Sequence, residues 1–229
     1  MPQQFQKLKS SMTSKGYFIT LEGGEASGKS TNLNLMSAWL QDAQIAHIVT
    51  HEPGGTPCAE KIRKLLLASL DQEPMHEDTE LLLMFAARAQ HLHQVIMPAL
   101  ASGQWVVCSR FTDSSYAYQG GGRGIDSNKI AQLEQFVHPS LQPDLTILLD
   151  LPVEAALQRM HKRHALDRIE GESCAFFERV RAAYLARAKQ DPKRFRILDA
   201  RLPLEAVQQE IIILLKALKA AKNSPRFRQ

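Results

Sequence analysis

Short runs of β-branched and aromatic apolar residues alternate along the chain with longer segments whose apolar positions recur at helical spacing. The short runs predict strands at Tyr17–Glu22, Ile45–Thr50, Trp105–Cys108, Leu145–Leu149 and Phe195–Leu198. The longer segments predict helices at Lys29–Asp42, Ala59–Ala68, Glu77–Ser102, Val153–His164, Glu172–Lys189 and Leu204–Ala220. This alternation predicts an α/β fold in which a five-stranded parallel sheet is flanked by helices on both faces. Ligands of such sheets bind at the carboxyl ends of the strands.

The composition indicates one globular domain. The 229 residues are 44% hydrophobic and 23% charged, and the net charge of +4 suits anionic partners of any kind. We predict a single domain at residues 16–220, a disordered extension at 1–15 and a basic tail at 221–229. No apolar run is long enough to span a membrane, and three widely separated cysteines favour a reducing compartment over a disulfide scaffold. The expected location is therefore the cytoplasm.

The segment between the first strand and the first helix fits the phosphate-binding pattern G-x-x-x-x-G-K-[ST]. Its glycines let successive N–H groups point at phosphate oxygens, and the following helix adds its positive end. We expect Lys29 to reach the β- and γ-phosphates of ATP, and the Ser30 hydroxyl to bind Mg²⁺. The predicted nucleotide-binding residues are Gly23, Gly24, Glu25, Ala26, Ser27, Gly28, Lys29, Ser30 and Thr31. An idle glycine-rich turn is the plainer alternative, but the flanking strand and helix argue against it.

Further motifs follow in order on the predicted elements. They are Glu52-Pro53-Gly54-Gly55-Thr56 after the second strand, Arg63 on the next helix, Ala86-Ala87-Arg88 on the long helix, the segment Arg110 to Gly124 after the third strand, and Leu166-Asp167-Arg168-Ile169-Glu170 after a basic helix. Together they resemble the bacterial thymidylate kinases from about residue 16 to about residue 218. The resemblance implies a P-loop nucleoside-monophosphate kinase fold and ATP-dependent phosphorylation of dTMP to dTDP by direct in-line transfer. It also implies a homodimer that uses ATP and Mg²⁺, with neither nucleic acid nor a membrane as partner.

The resemblance also identifies the side chains that would bind dTMP. These are Glu25, Glu52, Arg63, Arg88, Arg110, Ser115, Tyr118 and Gln119. Arg110 follows a buried strand, where a guanidinium can grip a phosphate bidentately, and the resemblance makes it the phosphate clamp with Arg63 as a second contact. A structural ion pair is the plainer explanation for Arg110, and a solvated helix position is the plainer explanation for Arg63.

Four of these residues would recognise the sugar and the base. By resemblance, Glu25 accepts a hydrogen bond from the sugar 3′-hydroxyl, and Tyr118 crowds the 2′ position so that deoxyribose is favoured. Arg88 would donate to the base, and Gln119 would hydrogen-bond the thymine edge. Core packing is the plainer explanation for a lone aromatic such as Tyr118.

A basic cluster precedes the last of these motifs, and its members are Arg159, His161, Lys162, Arg163, His164 and Arg168. A solvated helix face is the ordinary explanation for such a run. The phosphate loop carries no arginine, however, and the charge that develops on the transferring phosphoryl group must be stabilised. The chain resembles the family members whose lid, here about residues 159–171, supplies this arginine. Arg163 is the first candidate and Arg168 the second, and Lys29 and Arg110 are the other predicted catalytic residues.

Three positions depart from the family pattern. Ser109 stands where Asp usually precedes the strand-end arginine, which removes a charge that helps to organise Mg²⁺, unless Glu22 or Glu170 compensates. His51 stands where Arg is usual. The aromatic ring that stacks on thymine is replaced by Met84, with Phe85 beside it, and the sequence does not choose between them.

Two patterns and three other functions stay open. Gly120–Gly122 and Gly124 predict a flexible loop near the acceptor. An apolar stripe on the long helix is either a dimer interface or core, and it comprises Leu81, Phe85, Leu92 and Ile96. The other functions are a kinase for another nucleotide or deoxynucleoside, a nucleotide-binding module that lost activity through Ser109, and a nucleic-acid-binding P-loop ATPase. Against the last, the sequence has no second basic stripe interleaved with aromatics.

Overall fold

The structure, a computed structural model, describes residues 15–68, 73–160 and 167–222. Its strands are β1 (Phe18–Glu22), β2 (His47–His51), β3 (Trp105–Ser109), β4 (Leu145–Asp150) and β5 (Phe195–Asp199). The α-helices are α1 (Lys29–Asp42), α2 (Pro57–Leu67), α3 (Glu77–His91), α4 (Met97–Ala101), α5 (Thr112–Ser115), α6 (Ser127–Val137), α7 (Val153–Met160), α8 (Cys174–Gln190) and α9 (Leu204–Lys222). Two π-helical segments, Leu92–Ile96 and Tyr116–Gly122, join α3 to α4 and extend α5. Within the described ranges no helix is long and apolar enough to cross a membrane.

The strands form one five-stranded parallel sheet in the order β2-β3-β1-β4-β5. β1 lies at its centre, and all of its residues are buried. Ile19 and Leu21 pack with α1 and α9, while Phe18 packs with the 92–96 segment and α4. Because alternate residues of a strand face opposite sides of a sheet, these contacts place helices on both faces. The predicted five-stranded parallel sheet between two helical layers is therefore confirmed.

The predicted elements agree with the structure except at their ends. α1 begins and ends as predicted, and each strand lies within two residues of its predicted bounds. The predicted helix Glu77–Ser102 is helical nearly to its end, but it widens into a π-helix just before Pro98. Because proline has no N–H, one carbonyl oxygen of the preceding turn loses its usual α-helical donor. A π-helical turn accommodates this missing hydrogen bond. Residues 1–14, 161–164 and 223–229 lie outside the described ranges, so the predictions made for them stay predictions.

The region between β3 and β4 is more helical than the sequence indicated, since it holds α5, the 116–122 segment and α6. The flexible loop predicted at Gly120–Gly122 is wrong, because the segment is helical and its Gly121 and Gly122 pack closely against α8. A Cβ atom on Gly121 would lie 2.6 Å from Cβ of Ala183 and 2.9 Å from the carbonyl oxygen of Arg179. The 116–122 segment can lie directly on α8 only because no side chain intervenes.

The apolar stripe on the long helix belongs to the core. Its members are each at most 3% exposed, and they are Leu81, Phe85, Leu92 and Ile96. Core burial therefore explains the stripe, and it is not available as a dimer interface. The large apolar side chains that this helical stretch does expose are Leu82 and Met97, at 57% and 50%.

We predict that Gly121→Ala destabilises the protein by about 1–3 kcal/mol, because the new methyl group meets a Cβ atom and a backbone carbonyl that cannot turn aside. Chemical denaturation followed by circular dichroism gives the free energy of unfolding. The matched control is Gly171→Ala, whose Cβ atom would lie 3.5 Å from the Asp167 carbonyl, an ordinary contact. Equal stability of the two variants would contradict the packing role of Gly121.

Candidate active site

A cavity of about 530 Å³ opens at the carboxyl ends of β1, β2 and β3. Neighbouring parallel strands end at the same edge of a sheet, so the residues that follow them converge there. All the side chains predicted to bind the acceptor line this cavity, namely Glu25, Glu52, Arg63, Arg88, Arg110, Ser115, Tyr118 and Gln119. Lys29 and Ser30 of the predicted phosphate loop line it too. The structure therefore brings both halves of the predicted site into one cleft.

The phosphate loop begins where β1 ends and leads directly into α1. Gly23 and Gly28 have φ angles of 139° and 91°, which glycine adopts without strain. Lys29, the first residue of α1, folds back so that its Nζ donates to the carbonyls of Gly23 at 3.1 Å and Gly24 at 2.7 Å. The first turn of α1 carries no acidic residue that would oppose the positive end of the helix. This is an anion-binding geometry suited to nucleotide phosphates.

Arg110 connects the end of β3 to the phosphate loop. Its Nη1 donates to the Gly23 carbonyl at 3.0 Å and to the Tyr184 hydroxyl at 3.1 Å. Its Nη2 donates to Glu25 Oε1 at 2.6 Å and to the Tyr118 hydroxyl at 2.9 Å. Its backbone φ of 66° is strained for a residue with a side chain, on the order of 1–3 kcal/mol. Burial would lower the pKa of Arg110, but Glu25 and the two phenol oxygens raise it well above its usual value. The guanidinium is thus charged and forms an ion pair at the place where a phosphate clamp was predicted.

Arg88 on α3 is 3% exposed, and two of its three nitrogens donate hydrogen bonds. Its Nε donates to Glu52 Oε2 at 2.7 Å, and its Nη2 donates to Ser115 Oγ at 3.1 Å. Its guanidinium carbon lies 4.6 Å from the centroid of the Phe85 ring and 5.3 Å from that of Phe111. Its Nη1 is buried without a hydrogen-bond partner among the residues that the structure describes. A buried unpaired donor costs about 1–3 kcal/mol, so this N–H is suited to an acceptor atom on a ligand.

Glu52 holds Arg88 in place. Its other oxygen lies 3.1 Å from Nδ1 of His91, whose Nε2 lies 2.6 Å from Thr50 Oγ1. Burial would raise the pKa of Glu52, but Arg88 and His91 outweigh burial and lower it. Glu52 is therefore an ionised positioning residue. His91 was not predicted from the sequence, although its spacing of three residues from Arg88 places both on one face of α3.

Gln119 is hydrogen-bonded to Glu80, a carboxylate that was not predicted from the sequence. Its Nε2 donates to Oε1 of Glu80 at 2.8 Å, and Glu80 is 1% exposed. The other oxygen of Glu80 accepts from Arg168 Nη2 at 2.7 Å and lies 3.2 Å from Arg123 Nη2. Burial would raise the pKa of Glu80, but Gln119 and the two arginines lower it. An acidic residue immediately before the apolar run Leu81–Phe85 was the one sequence sign of this group.

The arginines of the basic cluster are placed differently from one another. Arg163 lies outside the described residues, so its role stays a prediction. Arg168 donates from Nε to the Leu66 carbonyl at 2.8 Å and is held at Glu80, so the structure does not bring it to the phosphate loop. Arg159 donates to the carbonyl of Ala26 at 3.3 Å. Of the cluster members that the structure describes, Arg159 is the one that contacts the loop.

The three residues that depart from the family pattern, Ser109, Met84 and His51, all line the cavity. Ser109 lines the cavity at the end of β3. Met84 lines the cavity as well, whereas Phe85 is 2% exposed and belongs to the core, so Met84 is the apolar side chain available to a base. His51 Nε2 lies 2.9 Å from Glu60 Oε1, which also accepts from the Gly55 N–H at 2.9 Å. His51 therefore braces the loop that follows β2.

Glu22, at the end of β1, uses its oxygens within the protein. Its Oε1 accepts from the Phe111 N–H at 2.7 Å. Its Oε2, the Ser114 hydroxyl and the Tyr184 hydroxyl lie within 2.7–2.9 Å of one another. Both hydroxyls donate to this oxygen, and these hydrogen bonds, together with Arg110, favour the ionised carboxylate. Burial and the nearby Asp113 outweigh them and raise the pKa of Glu22 to about 7. Because both of its oxygens accept hydrogen bonds within the protein, Glu22 is not placed to replace the carboxylate missing at the end of β3.

The Mg²⁺ donor predicted from the sequence is the Ser30 hydroxyl, and the Asp167 and Glu170 carboxylates line the same cavity. No cluster of three or more His, Cys, Asp or Glu side chains that could hold a metal occurs in the described ranges. The Ser30 hydroxyl lines the cavity beside Lys29. An oxygen of this type, completed by phosphate oxygens and water, fits the hard-cation chemistry of a nucleotide-bound Mg²⁺.

The fold and the cleft define a class. A parallel sheet of order β2-β3-β1-β4-β5, with a phosphate loop on its central strand and arginines facing it across one cleft, is a P-loop nucleoside-monophosphate kinase fold. The crystal structure of a thymidylate kinase from Ehrlichia chaffeensis matches with a TM-score of 0.71 at 31% identity, over 88% of this chain and 99% of that chain.

Sequence relatives give the family. The sequence model of the thymidylate kinase family matches residues 21–211. A thymidylate kinase of Pseudomonas putida (strain W619) is 59% identical over 201 residues, covering 88% of this chain and 97% of the relative. One of Chromohalobacter salexigens is 60% identical over 197 residues, covering 86% and 93%. The chain belongs to the thymidylate kinase family.

We predict that Glu22→Gln flattens the dependence of stability on pH. A carboxyl whose pKa is about 7 in the folded state and 4.5 in the unfolded state binds its proton more tightly when folded. Its stabilising contribution is therefore present below pH 4.5 and is lost as the pH rises to about 7, by on the order of 3 kcal/mol. Glutamine keeps a donor at this position without titrating. Unfolding free energies of both proteins from pH 4.5 to 8 test this, and parallel curves would contradict it.

Proposed function

We propose that this protein transfers the γ-phosphoryl group of ATP to dTMP and releases dTDP and ADP, a step in dTTP synthesis. The observation that carries the proposal is the single cleft shared by the phosphate loop, Arg110 and Arg88. Phosphoryl transfer between nucleotides needs a donor-phosphate site, an acceptor-phosphate site beside it and a base pocket beyond. The phosphate loop would supply the donor-phosphate site, Arg110 the acceptor-phosphate site and Arg88 the base pocket.

The ATP end is built on the phosphate loop. Lys29 Nζ, now on loop carbonyls at 2.7 and 3.1 Å, would turn to the β- and γ-phosphate oxygens, which are stronger acceptors because they are charged. The Ser30 hydroxyl would hold Mg²⁺, which neutralises phosphate charge when bound. Residues 23–28 would supply backbone N–H groups.

The acceptor phosphate would bind to Arg110 and Arg63. The Arg110 guanidinium is oriented by the Gly23 carbonyl and by Glu25. Because this side chain is already ordered, binding a phosphate would cost little further conformational entropy. Glu25 would accept from the sugar 3′-hydroxyl while keeping its ion pair. The Tyr118 hydroxyl donates to Glu25 at 2.8 Å, which fixes the carboxylate and would place the phenol beside the sugar.

The base would pack against Met84 of α3 and face the Arg88 and Gln119 side chains. Arg88 would donate from its unpaired Nη1 to a carbonyl oxygen of thymine, and Gln119 would meet the neighbouring edge. Ser115 and Glu52 support this contact by holding the other two nitrogens of Arg88.

In the transfer step an oxygen of the dTMP phosphate attacks the γ-phosphorus in line, and the bond to the β–γ bridging oxygen breaks. No general base is needed, because a phosphate monoester is already an anionic nucleophile. Catalysis then consists of positioning and charge stabilisation. We assign the charge to Lys29, Arg110 and the lid residue Arg163, with Arg168 as the second lid candidate. Closure of the lid at residues 159–171 would exclude water.

We also propose that the protein works as a cytoplasmic homodimer. α3 and α6 contact each other, and they expose Leu82 and Phe136 at 57% and 84%. Large exposed apolar side chains on adjacent helices favour an interface. Cys58, Cys108 and Cys174 are free, as expected in a reducing compartment.

We expect ADP formation from ATP and Mg²⁺ to be fastest with dTMP in a panel that also includes dUMP, UMP, dCMP and no acceptor. Ser109→Asp restores a carboxylate at the end of β3 and should lower the Mg²⁺ concentration needed for half-maximal rate. If the wild type turned over no acceptor and Ser109→Asp restored turnover, the protein would be a nucleotide-binding module. A preference for another acceptor would reassign the substrate.

We expect Arg163→Ala to lower kcat by about a thousandfold with little change in the KM for dTMP, because the arginine acts on charge that develops in the transition state. Lys162→Ala removes the same charge from the neighbouring residue and is the matched control. An unchanged kcat in Arg163→Ala, with a loss in Arg168→Ala, would transfer the role to Arg168.

A further inference from the structure

The orientation of the Gln119 amide is set by Glu80. Both residues are 1% exposed, and Gln119 Nε2 donates to Glu80 Oε1 at 2.8 Å. A carboxylate only accepts hydrogen bonds, so the amide oxygen cannot take this position. The amide nitrogen is turned to Glu80, and the amide oxygen is the atom left for a ligand in the cavity that Gln119 lines.

Glu80 is kept in its acceptor-only state by its surroundings. Its Oε2 accepts from Arg168 at 2.7 Å and lies 3.2 Å from Nη2 of Arg123, which also pairs with Glu172. Two guanidinium groups beside one carboxylate offset the loss of hydration and favour the ionised form. The constraint on Gln119 is therefore part of the folded protein.

We propose that Glu80 is a specificity-determining positioning residue, which selects the base of the acceptor by holding the Gln119 amide oxygen toward the cleft. The proposal rests on the proposed function, and the selected class is the 4-keto pyrimidines with an N3–H. The buried Nη1 of Arg88 is a donor without a partner in the described part of the chain. Thymine and uracil offer an acceptor, O4, beside a donor, N3–H, which complements a donor on Arg88 and an acceptor on Gln119. Cytosine offers the reverse pattern, so both contacts are mismatched.

The test is Glu80→Gln. A glutamine at this position offers both an oxygen and an NH₂ group, so Gln119 is satisfied either way round. We expect the ratio of kcat/KM for dTMP to that for dCMP to fall about tenfold, since a Gln119 amide that can turn relieves the mismatch at N3 of cytosine while the mismatch at Arg88 remains. The ratio for dTMP to dUMP should stay at the wild-type value, because both bases present the same edge. A purely structural role would lower kcat/KM for all three acceptors alike.

Two further variants sharpen the test. Glu172→Gln removes a carboxylate from the same arginine, Arg123, without touching Gln119, and it should keep the wild-type dTMP to dCMP ratio. In a Gln119→Ala background, Glu80→Gln should have no further effect on that ratio, because the two residues act through one contact. An equal fall in the presence and absence of Gln119 would overturn the proposal.

Thermal unfolding checks that Glu80→Gln is folded. Should it not fold, Glu80→Asp keeps the charge between the arginines but withdraws the carboxylate from Gln119, and the ratio should fall there too. A wild type that does not prefer dTMP refutes the proposed function. A wild type that prefers dTMP, with an unchanged ratio in the folded Glu80 variant, overturns the role of Glu80 alone.

Discussion

The junction between β1 and β3 is the constraint on which the site depends. The two strands pair in parallel, with Leu21 opposite Ser109, and the Arg110 N–H continues this pairing to the Leu21 carbonyl at 3.0 Å. The chain then turns with φ of 66°, which sends the Arg110 guanidinium across to the phosphate loop and to Glu25. The phosphate loop and the Arg110 guanidinium are thus fixed to each other by sheet hydrogen bonds, independently of any ligand.

The charged side chains that line the cleft are balanced in number. They are Lys29, Arg63, Arg88 and Arg110 together with Glu25, Glu52, Asp167 and Glu170. The charges around Arg88 are paired directly, since Arg88 forms an ion pair with Glu52, and Arg168 forms one with Glu80. This part of the cleft therefore offers hydrogen-bonding groups without net charge. Paired arginines of this kind suit an uncharged base better than free ones would.

Much of the fold could be predicted because it depends on local patterns. The five strands, the start of α1 at Lys29 and the phosphate loop follow from apolar periodicity and one spaced motif. The 116–122 segment could not be predicted, since three glycines read locally as a flexible turn. The role of Gly121 and Gly122 is set by α8, more than 50 residues further along the chain, whose Ala183 and Phe176 leave no room for a side chain.

The buried glutamates of the site also could not be predicted, because their roles depend on partners that are distant in the sequence. Glu22, Glu52 and Glu80 are alike in sequence, yet Glu22 has hydroxyl partners and a pKa raised to about 7, whereas Glu52 and Glu80 have arginine partners and lowered pKa values. Those partners lie 36 or more residues away in the chain, as with Arg88 and Glu52. A resemblance can indicate which side chains meet the substrate, because those stand in motifs. The side chains that orient them, as Glu80 orients Gln119, become visible only when distant segments have been brought together.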